Sequence, residues 1–198
     1  MTFDDLKTLA YNGYIAVGGR DVFLAGGSGL NRKKTVRGNL TVGGTPRRLT
    51  FTKVDKDVDG GTGVWIPYVA QANVFGFLKD GHTWAASGPY SGCLFEVGVH
   101  GGRFYAAHLS RENATDRNIE AWSTCAELSG KRVLFSKKIG VFDPGAQFVL
   151  NGTAAITVAS IDRVRQTVSV TRLDVVTSNA GSMSGRIMGV TRLVSDHT

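Results

Sequence analysis

"CLFEVGVHGGRFYAAHLS", residues 93–110, decides the fold class of this chain. Apolar residues alternate with others on both sides of Gly101–Gly102, the pattern of two strands joined by a two-residue loop. That loop length fixes the register. His100 falls opposite Arg103, Val99 opposite Phe104, Val97 opposite Ala106, Phe95 opposite His108, and Cys93 opposite Ser110. Opposed residues share a face, so Cys93, Phe95, Val97 and Val99 line one side with Phe104, Ala106 and His108. Glu96, His100 and Arg103 lie on the other.

Outward from this hairpin the chain repeats the same grammar. "YIAVGG", "DVFLAGG", "TVRGNLTVGG" and "RRLTFTKVD" precede it as strands punctuated by Gly pairs and a Pro. "GVWIPYV" is an apolar strand that Pro67 ends or bulges, and "ANVFGFLKDGHTWAA" fits either strands or helix. Beyond the hairpin, "KRVLFSKKIGVF", "AQFVLNG", "AAITVASI", "QTVSVTRLDVV" and "GRIMGVTRLVS" read as further strands. The string "VTRL" occurs at Val170–Leu173 and at Val190–Leu193, which is shared strand chemistry rather than a repeat unit.

Two segments carry a helical pattern. "TFDDLKTLAY" starts with Thr2 as cap and Asp5 three residues later. "TDRNIEAWSTCAELSG", residues 115–130, has Thr115 or Asp116 as cap, a stripe of Ile119, Trp122 and Ala126, and Gly130 at the C-cap. With no linker or low-complexity segment, residues 1–198 read as one α+β domain: a β-rich sandwich of two packed mixed or antiparallel sheets with a few peripheral helices. The 26 glycines among 198 residues suit short strands joined by tight turns.

Lys and Arg number 23 against 16 Asp and Glu, a net charge of +7. All of this excess falls between residues 20 and 56, where Arg20, Arg32, Lys33, Lys34, Arg37, Arg47, Arg48, Lys53 and Lys56 face only Asp21 and Asp55. Such a field steers an acidic partner, and Arg32, Lys33, Lys34, Arg37, Arg47 and Arg48 are the candidate docking residues. "NRKKTVRG" has no interleaved aromatic residues, which argues against nucleic acid. No apolar run reaches the roughly 20 residues of a membrane span, and the acidic start lacks the pattern of a cleaved signal. Two separated cysteines, with no Cys-x-x-Cys or His-x-His spacing, exclude a structural zinc site, so neither metal nor cofactor is expected.

Cys93 raises the question of chemistry. It follows "SGPYSG" and shares a face with His108, its diagonal neighbour at a backbone separation of roughly 7–8 Å. A free thiol has a pKa near 8.5, and an adjacent imidazolium lowers it to about 6–7. The histidine can then return a proton to a leaving amine. The developing oxyanion needs donors, which the Cys93 amide and its approach through Ser91 and Gly92 can supply. Residue types alone leave two readings open, a buried strand thiol beside a marginal histidine, and a nucleophile with its base. Cys125 reads as a buried helix thiol, His82 as an exposed loop histidine, His197 as part of a frayed tail, and Trp65, Trp84 and Trp122 as core.

"YSGC" with a histidine fifteen residues on resembles the Cys–His glutamine deamidase toxins, the cytotoxic necrotizing factor and Burkholderia lethal factor group, which carry "LSGC" and a downstream histidine. Tyr90 stands in place of the leucine. "VWIPY", Val64–Tyr68, is similar to a "WLPW" segment upstream of the lethal factor's motif. In the related chemoreceptor glutamine deamidases a threonine six residues before the cysteine completes a triad; Ser87 occupies that offset here. The resemblance covers residues 62–122 and implies a β-sandwich with peripheral helices. It further implies Cys93 as nucleophile, His108 as base and acid, and Ser87 as the group that orients His108. The implied partner is a target protein carrying the modified glutamine, such as a small GTPase or a translation-factor helicase.

The expected activity is therefore that of a toxin or effector glutamine deamidase, exported or injected without a cleavable signal and acting in the target cell's cytoplasm. A cysteine peptidase or transglutaminase would use the same dyad. A non-catalytic basic sandwich that binds nucleic acid or an acidic protein is the reading from a different class.

Overall fold

The computed structural model describes residues 1–18, 22, 31–55, 60–111, 117–140, 152–177 and 184–195. Arg20, Asp21, Lys56, Thr115, Asp116, His197 and most of "DVFLAGG" and "AQFVLNG" lie outside the described residues.

The hairpin at its centre has the register its loop dictates. Strands β8 (Leu94–His100) and β9 (Arg103–Leu109) pair antiparallel, with Phe95 opposite His108 and His100 opposite Arg103. Gly101 and Gly102 both take positive φ, 54° and 75°, as a two-residue hairpin loop requires. Strands β10 (Arg132–Lys138), β6 (Asn73–Phe77) and β2 (Asn31–Lys33) complete a five-stranded sheet in the order β10-β8-β9-β6-β2.

The second sheet overturns the expectation of a simple sandwich. Strands β1 (Tyr14–Ala16), β3 (Val36–Gly43), β4 (Arg48–Lys53), β5 (Gly63–Pro67), β7 (Trp84–Tyr90), β11 (Thr153–Asp162), β12 (Thr167–Thr177) and β13 (Gly185–Leu193) form a closed barrel. Closure depends on the short strand β1, which pairs antiparallel with β13 and parallel with β4. Parallel pairing between distant segments leaves no local mark on the sequence, which is why the closure was not legible. Mostly-β structure in two packed sheets with few helices does hold. The two "VTRL" strings face each other across β12 and β13, Val170 opposite Leu193 and Leu173 opposite Val190.

Alternation along the barrel strands sorts the core into layers. Trp65, Trp84, Ala86, Ile156, Val158 and Leu173 fill the barrel with Leu6 and Leu9 from the N-terminal segment. Val64, Ile66, Ala85 and Ala159 face outward onto Val74, Phe95, Val97, Phe104 and Ala106 of the flat sheet. The sheet's far side packs Phe75, Tyr105, Ala107 and Leu109 against Trp122, Cys125 and Leu128. Each fully buried side chain of this size contributes about 1.5–3 kcal/mol.

Helix α1 (Phe3–Lys7) has the expected cap: Thr2 Oγ1 accepts from the Asp5 amide at 3.2 Å and the Asp5 carboxylate accepts from the Thr2 amide at 2.6 Å. The second helical segment is broken where one helix was expected. Helix α2 (Arg117–Trp122) stops, and a 3-10 turn follows at Ala126–Leu128. Ser123 and Thr124 hydroxyls donate to the carbonyls three residues back, Glu120 at 2.7 Å and Ala121 at 3.0 Å, competing with the helical ladder. Gly130, at φ +72°, ends the segment as a C-cap glycine does. "ANVFGFLKDGHTWAA" resolves into β6, a turn and the start of β7.

Candidate active site

Strand β7 belongs to the barrel and β8 to the flat sheet, so the chain crosses between the two at Ser91–Gly92 and Cys93 is the first residue across. "SGPY", residues 87–90, is the end of strand β7.

Ser87, on β7, points from the barrel wall toward the sheet. Its Oγ donates to the Ile66 carbonyl at 2.7 Å and lies 2.9 Å from His108 Nδ1, and both residues are fully buried. A serine hydroxyl has one hydrogen, and a carbonyl can only accept. The Ser87 hydrogen is therefore committed to Ile66, and the His108 contact runs from Nδ1–H to Oγ. That fixes the tautomer: Nε2 carries a bare lone pair. Nε2 is buried and has no hydrogen-bond partner, a condition that costs about 1–3 kcal/mol and calls for an explanation.

Burial holds the His108 imidazole neutral, pushing its pKa down to about 3. The thiolate–imidazolium pair expected from the sequence thus lacks its imidazolium. What the geometry supplies instead is a neutral imidazole with its acceptor nitrogen free. Cys93 is 5% exposed and packs in the same cluster as Phe95, Val97 and Val74, on the face that carries His108. Its thiol makes no hydrogen bond to Nε2. The pair is enclosed.

Tyr90 and Tyr68 flank the imidazole. The Tyr90 ring stacks on His108 at 4.3 Å between centroids, 11° from parallel, and Tyr68 approaches at 5.3 Å with a 56° tilt. Burial, chiefly, raises the Tyr90 phenol, so it stays protonated, and its hydroxyl interacts with Ser87 and Thr157. The sequence marked Tyr90 only as a replacement for leucine, and Tyr68 only as the end of "VWIPY". Their convergence comes from the parallel pairing of β5 and β7, Ile66 opposite Ser87, which no local pattern encodes.

The crossover is clamped from the other side. The Gly92 amide donates to the Ile139 carbonyl at 2.8 Å, and the Ile139 amide donates to the Cys93 carbonyl at 2.9 Å. Gly92 is therefore committed and cannot serve as an oxyanion donor, contrary to expectation. Ser91 is an exposed turn residue. Cys93 directly follows Gly92, its carbonyl held by the Ile139 amide. Gly92 has φ +107°, and a methyl group there would stand 3.3 Å from Arg111 Nη1.

Cys125 is buried, as are Trp65, Trp84 and Trp122. His82 is buried at 3% exposure rather than exposed, with Nδ1 accepting from the Lys79 amide at 3.3 Å. The basic residues do not form one surface. Lys33, Lys34 and Arg37 line one groove, while Arg47 and Arg48 line others, beside Met1 and Asp5 and beside Tyr14 and Gly185. Arg32, half-buried between Asn31 and Lys33 on β2, points to the opposite side by strand alternation. Among the described residues no group of three or more His, Cys, Asp or Glu converges as a metal site, and no helix is long and apolar enough to cross a membrane.

No family model matches the chain, and no curated protein matches it. Among solved structures it is similar to the C-terminal domain of CNFy from Yersinia pseudotuberculosis, at 12% identity and a TM-score of 0.26. The alignment covers 62% of this chain and 54% of that one, so the chain spans about half that domain's length and the likeness is loose.

Proposed function

We propose that this chain is a cysteine hydrolase that deamidates a glutamine side chain of a target protein. One observation carries the reading: the Ser87 hydrogen bond that commits His108 Nδ1–H and leaves Nε2 as an unpartnered buried base on the face of Cys93. The motif "YSGC" with its downstream histidine supports the same assignment of roles.

In the forward half-reaction Nε2 takes the thiol proton as Cys93 Sγ bonds to the amide carbon of the glutamine. The Cys93 amide meets the oxyanion. Nε2–H then protonates the departing nitrogen, the C–N bond breaks, and ammonia leaves a thioester. Water attacks that thioester while Nε2 takes its proton; the C–S bond breaks, the proton returns to sulfur, and glutamate leaves. Ser87 positions the imidazole throughout without entering the chemistry.

The enclosure of Cys93, 5% exposed, favours deamidation over proteolysis. A glutamine side chain can reach an enclosed thiol end-on, whereas a scissile main chain needs a cleft open on both sides. By this reading the chain acts as a toxin or effector on a protein in the cytoplasm of a target cell.

The test is a whole-proteome comparison by mass spectrometry after incubating lysate with the protein or with Cys93→Ala. The expected result is glutamine converted to glutamate at a defined site with the native chain alone. Cleaved peptide bonds, or the same products from Cys93→Ala, would refute it.

A further inference from the structure

A groove of about 370 Å³ opens where β2, β3, β6 and β9 meet, lined by Lys33, Lys34, Arg37, Lys79 and Arg103 over Phe77. No carboxylate lines it among the described residues. Only Lys33, Lys34 and Arg37 come from the basic segment; Lys79 follows the end of β6 and Arg103 begins β9, so the sequence did not reveal the cluster. Arg103 begins β9 and His108 lies five residues along it, roughly 17 Å away. The groove is thus separate from Cys93.

We propose that this groove docks an acidic, carboxylate-rich segment of a partner protein. The cations are pre-positioned. The Arg103 guanidinium lies 4.5 Å and Lys33 Nζ 5.3 Å from the Phe77 ring centroid, contacts that hold two long side chains in place before a ligand arrives. Lys33 pairs with Glu127 at 3.2 Å, both more than half exposed, a weak surface pair that an incoming carboxylate can replace. The field is also felt inside the protein: after burial itself, the charges of Arg163, Arg37 and Lys79 hold the neighbouring His82 imidazole below its ordinary pKa. Single-stranded nucleic acid fits less well, because the Phe77 ring already carries two cations that compete with a base for it.

The proposal is tested by fluorescence anisotropy with a labelled oligoglutamate peptide and the full chain at low ionic strength. The peptide is expected to bind, and added salt to weaken it. Lys34→Glu with Arg103→Glu should lower affinity at least about tenfold, whereas Arg47→Glu with Arg48→Glu should leave it within about twofold. Circular dichroism and melting temperature verify the fold, and the single changes Lys34→Ala and Arg103→Gln, each expected to weaken binding, replace the charge reversals if these do not fold. Cys93→Ala should bind like the native chain, so a failed deamidase reading leaves this one standing. No binding, or equal losses from both variant pairs, would overturn the proposal. So would tighter binding of single-stranded DNA of equal charge that the Lys34 and Arg103 changes abolish.

Discussion

The imidazole of His108 lies flat on the ring of Tyr90, centroids 4.3 Å apart and planes 11° from parallel. Stacking, the Ser87 hydrogen bond and burial together hold one ring in one tautomer, protonation state and orientation. Tyr90 therefore positions the imidazole. Tyr90→Phe keeps the stack and loses only the hydroxyl contacts, so it should cost about 1 kcal/mol of stability and leave Cys93 reactivity near native. Tyr90→Ala opens a cavity against the imidazole and should cost about 3–5 kcal/mol while slowing Cys93 alkylation. Denaturant melts and alkylation rates on both variants check this. Equal alkylation in all three proteins would remove Tyr90 from the site.

Acid sensitivity follows from the same burial. His108 is neutral in the folded chain down to about pH 3, but protonates near 6.5 once unfolded. The unfolded state therefore binds the extra proton between those values, and stability falls as pH drops, by about 1.4 kcal/mol per unit below pH 6.5. His82, also held low by burial, adds loss in the same direction. Unfolding free energies from urea melts at about pH 7.5 and about pH 5.5 should differ by roughly 1–2 kcal/mol in the native chain and by less in His108→Gln. Identical pH slopes would mean that His108 titrates alike in both states.

Gly92 occupies a conformation that side chains avoid, φ +107°, beside Arg111. Gly92→Ala should cost about 1–2 kcal/mol. Because Gly92 and Cys93 share the clamp to Ile139, the change should also displace the thiol and slow its alkylation. A destabilised variant with native alkylation would show that the clamp does not set the position of Cys93.

The opposite face of the hairpin provides a contrast. Glu96 Oε1 accepts from the Tyr105 hydroxyl at 2.7 Å and Trp122 Nε1 at 2.8 Å. Lys131 Nζ stands 2.9 Å from the same oxygen, outside hydrogen-bond angles, and 4.2 Å from the Trp122 ring centroid. Lys131→Met leaves a buried carboxylate without its countercharge and should cost about 3–5 kcal/mol. Cys93 alkylation should be native below the midpoint of unfolding, since the cluster lies across the sheet from the thiol. A parallel loss of reactivity would tie the two faces together.

What was legible in the sequence is what local rules govern. Gly101–Gly102 fixed the pairing of Phe95 with His108, whereas Ser87, which contacts His108, was pointed to by the resemblance to the deamidases and by no local rule. The capping of α1 by Thr2 and Asp5 followed from spacing. Long-range pairing escaped. Neither the parallel bridge of β1 to β4 nor that of β5 to β7 leaves a periodicity, so the barrel and the position of Tyr68 beside His108 stayed hidden. His82 escaped because a turn histidine in "KDGHTW" looks exposed until Arg163 of the β11–β12 turn closes over it, donating to the His82 carbonyl at 3.0 Å. The helix stop at Ser123 and Thr124 was written in residues that compete for backbone carbonyls, though the apolar stripe across them outweighed that signal.

The cooperation of Cys93 with His108 is tested most directly by the rate of Cys93 alkylation by iodoacetamide at pH near 7, with Cys125→Ala as background throughout. His108→Gln and Ser87→Ala should each slow the reaction at least about tenfold relative to that background, with folding verified by circular dichroism. Unchanged rates in both variants would mean that the free Nε2 lone pair does not act on the thiol, and Cys93 would then be a core cysteine at a strand entrance.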